Sequence, residues 1–194
     1  MLRIPSTMSD TDINIINELG QIATADQAVN LFKTYMDDEQ LARISRFSNP
    51  DILTRIANSI AICQPDSVFI NTGSDEDRAW INQLAIEKKE ERPLAMDGHT
   101  IHYDLAKEQG RIVDRTFYIA NPDDLVSSLA NRMDRPTALA DVKSNMTGIM
   151  KGMIMIVGFY MRGPVGAPVS NPALEITSSA YVAHSAELLY RNAF

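Results

Sequence analysis

Few side chains in this sequence have the types and spacing that chemistry demands. His99 and His102 stand three apart in a segment with no helical pattern. In an extended chain, positions i and i+3 point to opposite faces, so this pair does not read as a shared metal site. Cys63 is the one cysteine, which excludes an intrachain disulfide, and the Cys/His spacing of zinc sites is absent. Beside Ala61 and Ile62 it reads as a small buried hydrophobe. Gly163-Pro164-Val165-Gly166 looks like a phosphate cradle, but Pro164 has no N–H to offer and no Lys follows. No G-x-x-x-x-G-K-[ST] pattern occurs, so this stretch reads as a turn between strands. Of the hydroxyl cluster Thr177-Ser178-Ser179, the last residue reads as a helix cap. Arg111 follows Gly110; a guanidinium can grip a carboxylate, but so can that of any surface arginine. By residue type alone Arg111 is an arginine at a strand entry, and Arg115 is a solvated group at a strand edge.

Elements of an ordinary globular protein must position these groups. The chain has 194 residues, enough for one domain that buries roughly 70% of its unfolded surface. A net charge of −7 and a pI near 4.9 favour solubility and give no basic footprint for nucleic acid. One cysteine fits a reducing, cytoplasmic compartment. The first twelve residues hold one Arg and no apolar core, so they do not form a secretory signal, and no apolar run approaches the about 20 residues of a membrane span.

The organising stretch is residues 151–181. A run over 153–161, rich in β-branched and aromatic residues, reads as a buried strand, with a second short apolar run over 173–176. Met150, Met153, Met155 and Met161, in or beside it, read as gap-filling core residues. Upstream, residues 1–23 are expected to be a poorly ordered segment, and 24–194 the domain. Thr24 with Gln27 forms a capping-box pattern ahead of Val29, Leu31, Phe32 and Tyr35. Asp37 to Glu39 open a short helix, and Asn49-Pro50 opens a longer one to about Ile62. Residues 67–71 read as a strand. Ser74 caps a helix that turns Trp80, Ile81, Leu84 and Ala85 inward. A second strand is expected over 114–120, a helix over 123–132 with Leu125 and Leu129 buried, and a polar connection over 134–148 with one helical turn at 138–142. A last helix over 181–191 would bury Val182, Ala186 and Leu189. Alternating strands and helices give an α/β class with a mixed sheet flanked by helices. The apolar ending at Phe194 reads as a cut inside a longer protein.

The stretch from Gly152 to Ser170, and Leu174 to Ser185 after it, resembles the N-terminal domain of GTP-dependent phosphoenolpyruvate carboxykinase. That family has G-x-x-M-Y-V-x-P-F-x-M-G-P-x-G-S-P-x-S followed by L-T-D-S-x-Y-V-x-x-S. Cys63-Gln-Pro-Asp66, Gly73-Ser-Asp-Glu76 and Gly110-Arg-Ile-Val-Asp-Arg-Thr116 resemble its C-x-P-D, D-G-S-E-E and A-R-x-x-S-K-T segments, in order. The resemblance covers residues 51–185. It departs at Arg162, inserted before Gly163, at Ala167 and Ser178 in place of Ser and Asp, and at Asp114 and Arg115 in place of Ser and Lys. These departures point to an archaeal or microbial version.

The resemblance implies the carboxykinase fold, and an enzyme of gluconeogenesis that converts oxaloacetate and GTP to phosphoenolpyruvate, CO2 and GDP with Mn²⁺ or Mg²⁺. It carries one substrate contact onto this chain: Arg111, holding the substrate carboxylate. The family's phosphate loop, metal ligands and guanine pocket lie downstream. The chain alone is therefore expected to bind neither GTP nor metal, to be inactive, to require the C-terminal catalytic domain of the same protein, and to self-associate through its apolar end. No nucleic-acid or membrane partner is implied. A second reading is a self-standing binding or regulatory module that keeps the fold without the chemistry.

Overall fold

The computed structural model describes residues 15–105, 110 and 112–194. Its centre is β6 (Ile154–Arg162), flanked by β1 (Ser67–Asn71) in parallel and β7 (Asn171–Thr177) antiparallel. A short β8 (Arg191–Asn192) pairs antiparallel with Tyr160 and Met161, where β7 already occupies the opposite edge of β6. It therefore continues the line of β1 beyond Asn71. The sheet is mixed and covered on both faces, which is why β6 reads as an unbroken apolar run instead of an alternating one.

Strand periodicity sorts the core into two layers. Val68, Ile70, Met155, Val157 and Phe159 face α2 (Ala25–Tyr35), α3 (Asp38–Ile44) and α4 (Pro50–Cys63), which contribute Phe32, Ile44, Ile56 and Ile60. Ile156 and Phe69 face α5 (Asp75–Glu87) and α7 (Ala180–Leu189), which contribute Ile81, Ala85, Ala180 and Ala183. The expected starts hold: Thr24 and Gln27 form the capping box of α2, Asn49 with Pro50 opens α4, and Ser74 and Ser179 cap α5 and α7. Cys63 is buried at the end of α4.

Five expectations are corrected. Of the segment 1–23, expected to be poorly ordered, residues 1–14 lie outside the described residues, but α1 (Ile15–Gly20) is a helix packed on α4. The buried Asn58 pins it: its Oδ1 accepts from Ile22 N at 2.7 Å, and its Nδ2 donates to Ile22 O and Asn17 Oδ1 at 2.9 Å. The helix expected over 123–132 is absent, and Leu125 and Leu129 are 104% and 94% exposed. A stretch this short with no face to bury against is marginal as a helix. Asp124 Oδ2 instead accepts from Asn121 N, and β5 (Asn131–Met133) pairs in parallel with β4 (Phe117–Ile119). The strand expected over 114–120 thus shrinks to β4, after a 3₁₀ turn at Val113–Arg115, and stands outside the main sheet.

The polar connection over 134–148 contains a full helix, α6 (Arg135–Met146). Its sequence hid it because Ala138 is its one buried residue and no apolar stripe exists. It is set instead by Asp134, whose Oδ1 accepts from Thr137 N, and by the Arg135–Glu18 pair. Finally, α7 buries Ala180, Ala183 and Ala186, while Val182 and Leu189 are exposed. Small residues let α7 lie close against α5. A two-stranded hairpin, β2 (Arg92–Pro93) with β3 (Thr100–Ile101), completes the described structure.

Candidate functional site

Parallel strands end on the same side of a sheet, and open α/β sheets bind ligands just beyond those carboxyl ends. Here β1 ends at Asn71, opposite Gly158 of β6. A buried polar cluster sits there. Asn71 Oδ1 accepts from Gly73 N at 2.8 Å, and its Nδ2 donates to Glu187 Oε1 of α7 at 2.5 Å and to the Tyr160 hydroxyl of β6 at 3.3 Å. Arg78 of α5 meets the other oxygen of Glu187, Nε to Oε2, at 3.1 Å. Asn192 of β8 lies opposite Tyr160 and against Gly73, whose φ of +71° and close approach exclude a side chain.

Glu175 joins the cluster from β7, opposite Gly158. Its neighbours Leu174 and Ile176 pack on the α4 side, so alternation turns Glu175 toward α7. Burial, and then the charge of Glu187, raise its carboxyl to about 7. Burial first, then Glu187 and Glu175, also push the Tyr160 hydroxyl upward, so it keeps its proton. A carboxyl that titrates near neutrality can exchange a proton at working pH, which suits acid–base chemistry or a proton-binding structural site.

The loop beside the cluster is rigidly held. Asp77 accepts from Thr72 N, Thr72 Oγ1 and Arg43 Nη1 at 2.8, 2.6 and 3.0 Å. Arg43 also donates to Ile70 O at 2.7 Å and pairs with Glu39. Between α5 and α7, a cavity of about 470 Å³ is lined by Arg78, Asn82, Gly98, His184, Glu187 and Leu188. His184 Nδ1 lies 2.8 Å from Oε1 of the buried Glu91.

The groups singled out by sequence are dispersed. Arg111, the residue that the resemblance assigns to the substrate carboxylate, lies outside the described residues. Gly110, next to it, is exposed, with open space where a side chain would go. Arg115 is exposed on the 3₁₀ turn and lines a cavity of about 550 Å³ between β4, β5 and α6, with Phe117, Ile119, Met133 and Asp141. Two of the hydroxyls at 177–179 serve the start of α7: Thr177 Oγ1 accepts from Ser179 N, and Ser179 Oγ donates to Glu90 Oε2, which also accepts from Tyr181 N at 2.8 Å. Burial alone would raise Glu90, but the Tyr181 N–H, Lys88 and Ser179 outweigh it and hold that carboxyl low. The helix N-terminus is thus already occupied by a carboxylate of the chain itself. The turn at 163–166 closes on itself, with Ser170 Oγ donating to Pro164 O at 2.6 Å.

Among the described residues, no three or more His, Cys, Asp or Glu side chains are grouped to hold a metal, and no helix is long and apolar enough to cross a membrane. Asn71, Arg78, Tyr160, Glu175 and Glu187 escaped the sequence reading. Their available signal was weak: an amide closing an apolar strand, and an acid inside the apolar run of β7.

Residues 55–194 match the family described as Phosphoenolpyruvate carboxykinase N-terminal domain. The phosphoenolpyruvate carboxykinase [GTP] of Thermococcus sibiricus is 40% identical over 162 residues, which are 84% of this chain and 26% of that protein. The protein of the same name from Saccharolobus solfataricus is 33% identical over 86% of this chain and 27% of its own length. That from Corynebacterium kroppenstedtii is 30% identical over 74% of this chain. The chain spans about a quarter of the length of these curated relatives. With a matched segment that covers β1 to β8, the two-faced mixed sheet included, the chain belongs to the phosphoenolpyruvate carboxykinase N-terminal domain family.

Proposed function

We propose that this chain is the substrate-contacting N-terminal portion of a GTP-dependent phosphoenolpyruvate carboxykinase, a cytoplasmic enzyme that converts oxaloacetate and GTP to phosphoenolpyruvate, CO2 and GDP. The observation that carries this reading is the 40% identity to an enzyme of that name across 84% of the chain. GTP and the Mn²⁺ or Mg²⁺ ion are held by the C-terminal catalytic portion of the same protein, which is the partner of this domain. The absence of a Gly-Lys-[Ser/Thr] phosphate loop from this sequence supports that division.

Arg111 holds a carboxylate of oxaloacetate or phosphoenolpyruvate through charge-assisted hydrogen bonds. Its neighbour Gly110 leaves open space on the approach. In a protein that joins this chain to its catalytic portion, Arg111→Ala removes that contact at a cost of about 1.5–3 kcal/mol. That is roughly a ten- to hundredfold loss of kcat/KM for oxaloacetate. Arg111→Lys recovers only part, since an ammonium cannot grip bidentately. Unchanged kinetics in Arg111→Ala refute the assignment, and no GTP-dependent decarboxylation by the joined protein refutes the activity.

A further inference from the structure

His102 lies outside the polar cluster and outside the role proposed for Arg111, yet it is the most tightly engaged imidazole among the described residues. Its Nδ1 is 2.6 Å from the backbone carbonyl of Glu90, and its Nε2 is 3.1 Å from Oδ1 of Asp104. Both partners are acceptors with no proton to give, given an ionised Asp104. A neutral imidazole has one N–H and would turn a lone pair toward one of them, whereas the imidazolium satisfies both. The ring also stacks on Tyr181 in the first turn of α7, with centroids 3.6 Å apart and planes 10° from parallel. A cationic ring on an aromatic face is favoured over a neutral one.

We propose that His102 is a proton-operated clasp: as the imidazolium it fastens the chain leaving β3 to the α5–β2 connection and to the first turn of α7, and loss of its proton to solvent loosens that joint. The acceptors and carboxylates around the ring favour the charged form, while burial opposes it. From the α5–β2 connection come the Glu90 carbonyl and the Glu91 carboxylate, with Lys88 neutralised on Glu90 and Arg92 set over Tyr103. The chain leaving β3 supplies Asp104. From α7 come Tyr181 and, one turn on, His184, which is held by Glu91. The Glu90 carbonyl, then the bond and charge of Asp104, raise the His102 imidazole above its ordinary value despite burial. The joint is double, because the Glu90 side chain caps the same first turn of α7 through Ser179 and Tyr181. The clasp therefore ties the β2–β3 hairpin, whose Leu94 N–H donates to His99 O at 2.8 Å, to the helix that carries Glu187.

The test is an NMR titration of the full 194-residue chain, with His102 ring protons followed alongside hydrogen exchange of the Leu94 and Val157 amides. The expected result has three parts. His102 titrates at higher pH in the folded chain than in the urea-unfolded chain. Leu94 loses protection, relative to its intrinsic exchange rate, with the same midpoint. Val157, in the centre of the sheet, keeps its protection. Asp104→Asn, which leaves the imidazole and the stack in place, moves both midpoints down together, and His102→Gln abolishes the pH step at Leu94. Identical His102 midpoints in folded and unfolded chains, or Leu94 protection that ignores the titration, overturn the proposal. A pH step that persists in His102→Gln overturns it equally.

Discussion

Glu175 provides the sharpest test of the polar cluster. Its carboxyl is moved from an ordinary 4.5 to about 7 by burial and by Glu187. A folded-state value above the unfolded one means that the folded chain binds this proton more tightly. The associated stability is fully present below pH 4.5 and is lost as pH rises through about 7. Taken at face value the shift is worth about 3 kcal/mol. Because the group is only about half buried, solvent screening reduces this to about 1–2 kcal/mol. Glu175→Gln keeps the shape and removes the charge. It should therefore leave stability at pH 5 within about 0.5 kcal/mol of the parent and raise it by about 1–2 kcal/mol at pH 8. Urea denaturation at the two pH values measures this. Trp80, the one tryptophan, reports it, since it stacks on Phe69 in the same α5/α7 layer, centroids 4.1 Å apart. His102 contributes a pH dependence of the same sign, so the informative quantity is the difference between variant and parent. A variant less stable than the parent at pH 8, or one with an undiminished decline from pH 5 to 8, would falsify the placement of Glu175 in a charge-penalised site.

Two further outcomes follow from the packing. Asn58→Ala strips both backbone groups of Ile22 of their buried partner and should cost about 2–4 kcal/mol in urea denaturation, with amides at 16–22 losing exchange protection first; equal loss across the molecule would show that α1 is not held at this point. The Cys63 thiol is buried at the end of α4, and burial raises it, so its reaction with a thiol reagent at pH 7 should be slow in the native chain and fast in urea. Rapid native labelling would contradict that burial.

Local rules carried the sequence reading far at helix starts. Thr24, Asn49, Ser74 and Ser179 each accept a backbone N–H that would otherwise lack a partner, and that chemistry involves neighbours within three residues. The strands β1 and β6 were legible because covered strands need continuous apolar runs, and β7 because a short apolar run follows the turn after β6. The same rules failed at 123–132, where Pro122 and two leucines mimic a helix start but no face exists to bury them. They failed again at α6, which has a cap and an ion pair but no apolar stripe. Sequence supplied no register for α7 either: Ala183 is buried, not Leu189, because closeness to α5 rewards small side chains.

By itself, then, the sequence determined the α/β class, the central strand, most helix caps, and the family resemblance that points to Arg111. Each of these rests on interactions between residues near in the chain or on an apolar pattern that any burial would satisfy. Tertiary structure alone decided what meets at the end of β1. Asn71, Arg78, Tyr160, Glu175 and Glu187 lie on five different elements, and Asn71 and Glu187 are 116 residues apart. Only the pairing of β6 with β1 and β7, and the packing of α7 on α5, bring them together. The carboxyl raised to about 7 is likewise a property of that enclosure: Glu175 in isolation is an ordinary acid, and its neighbours make it a proton site.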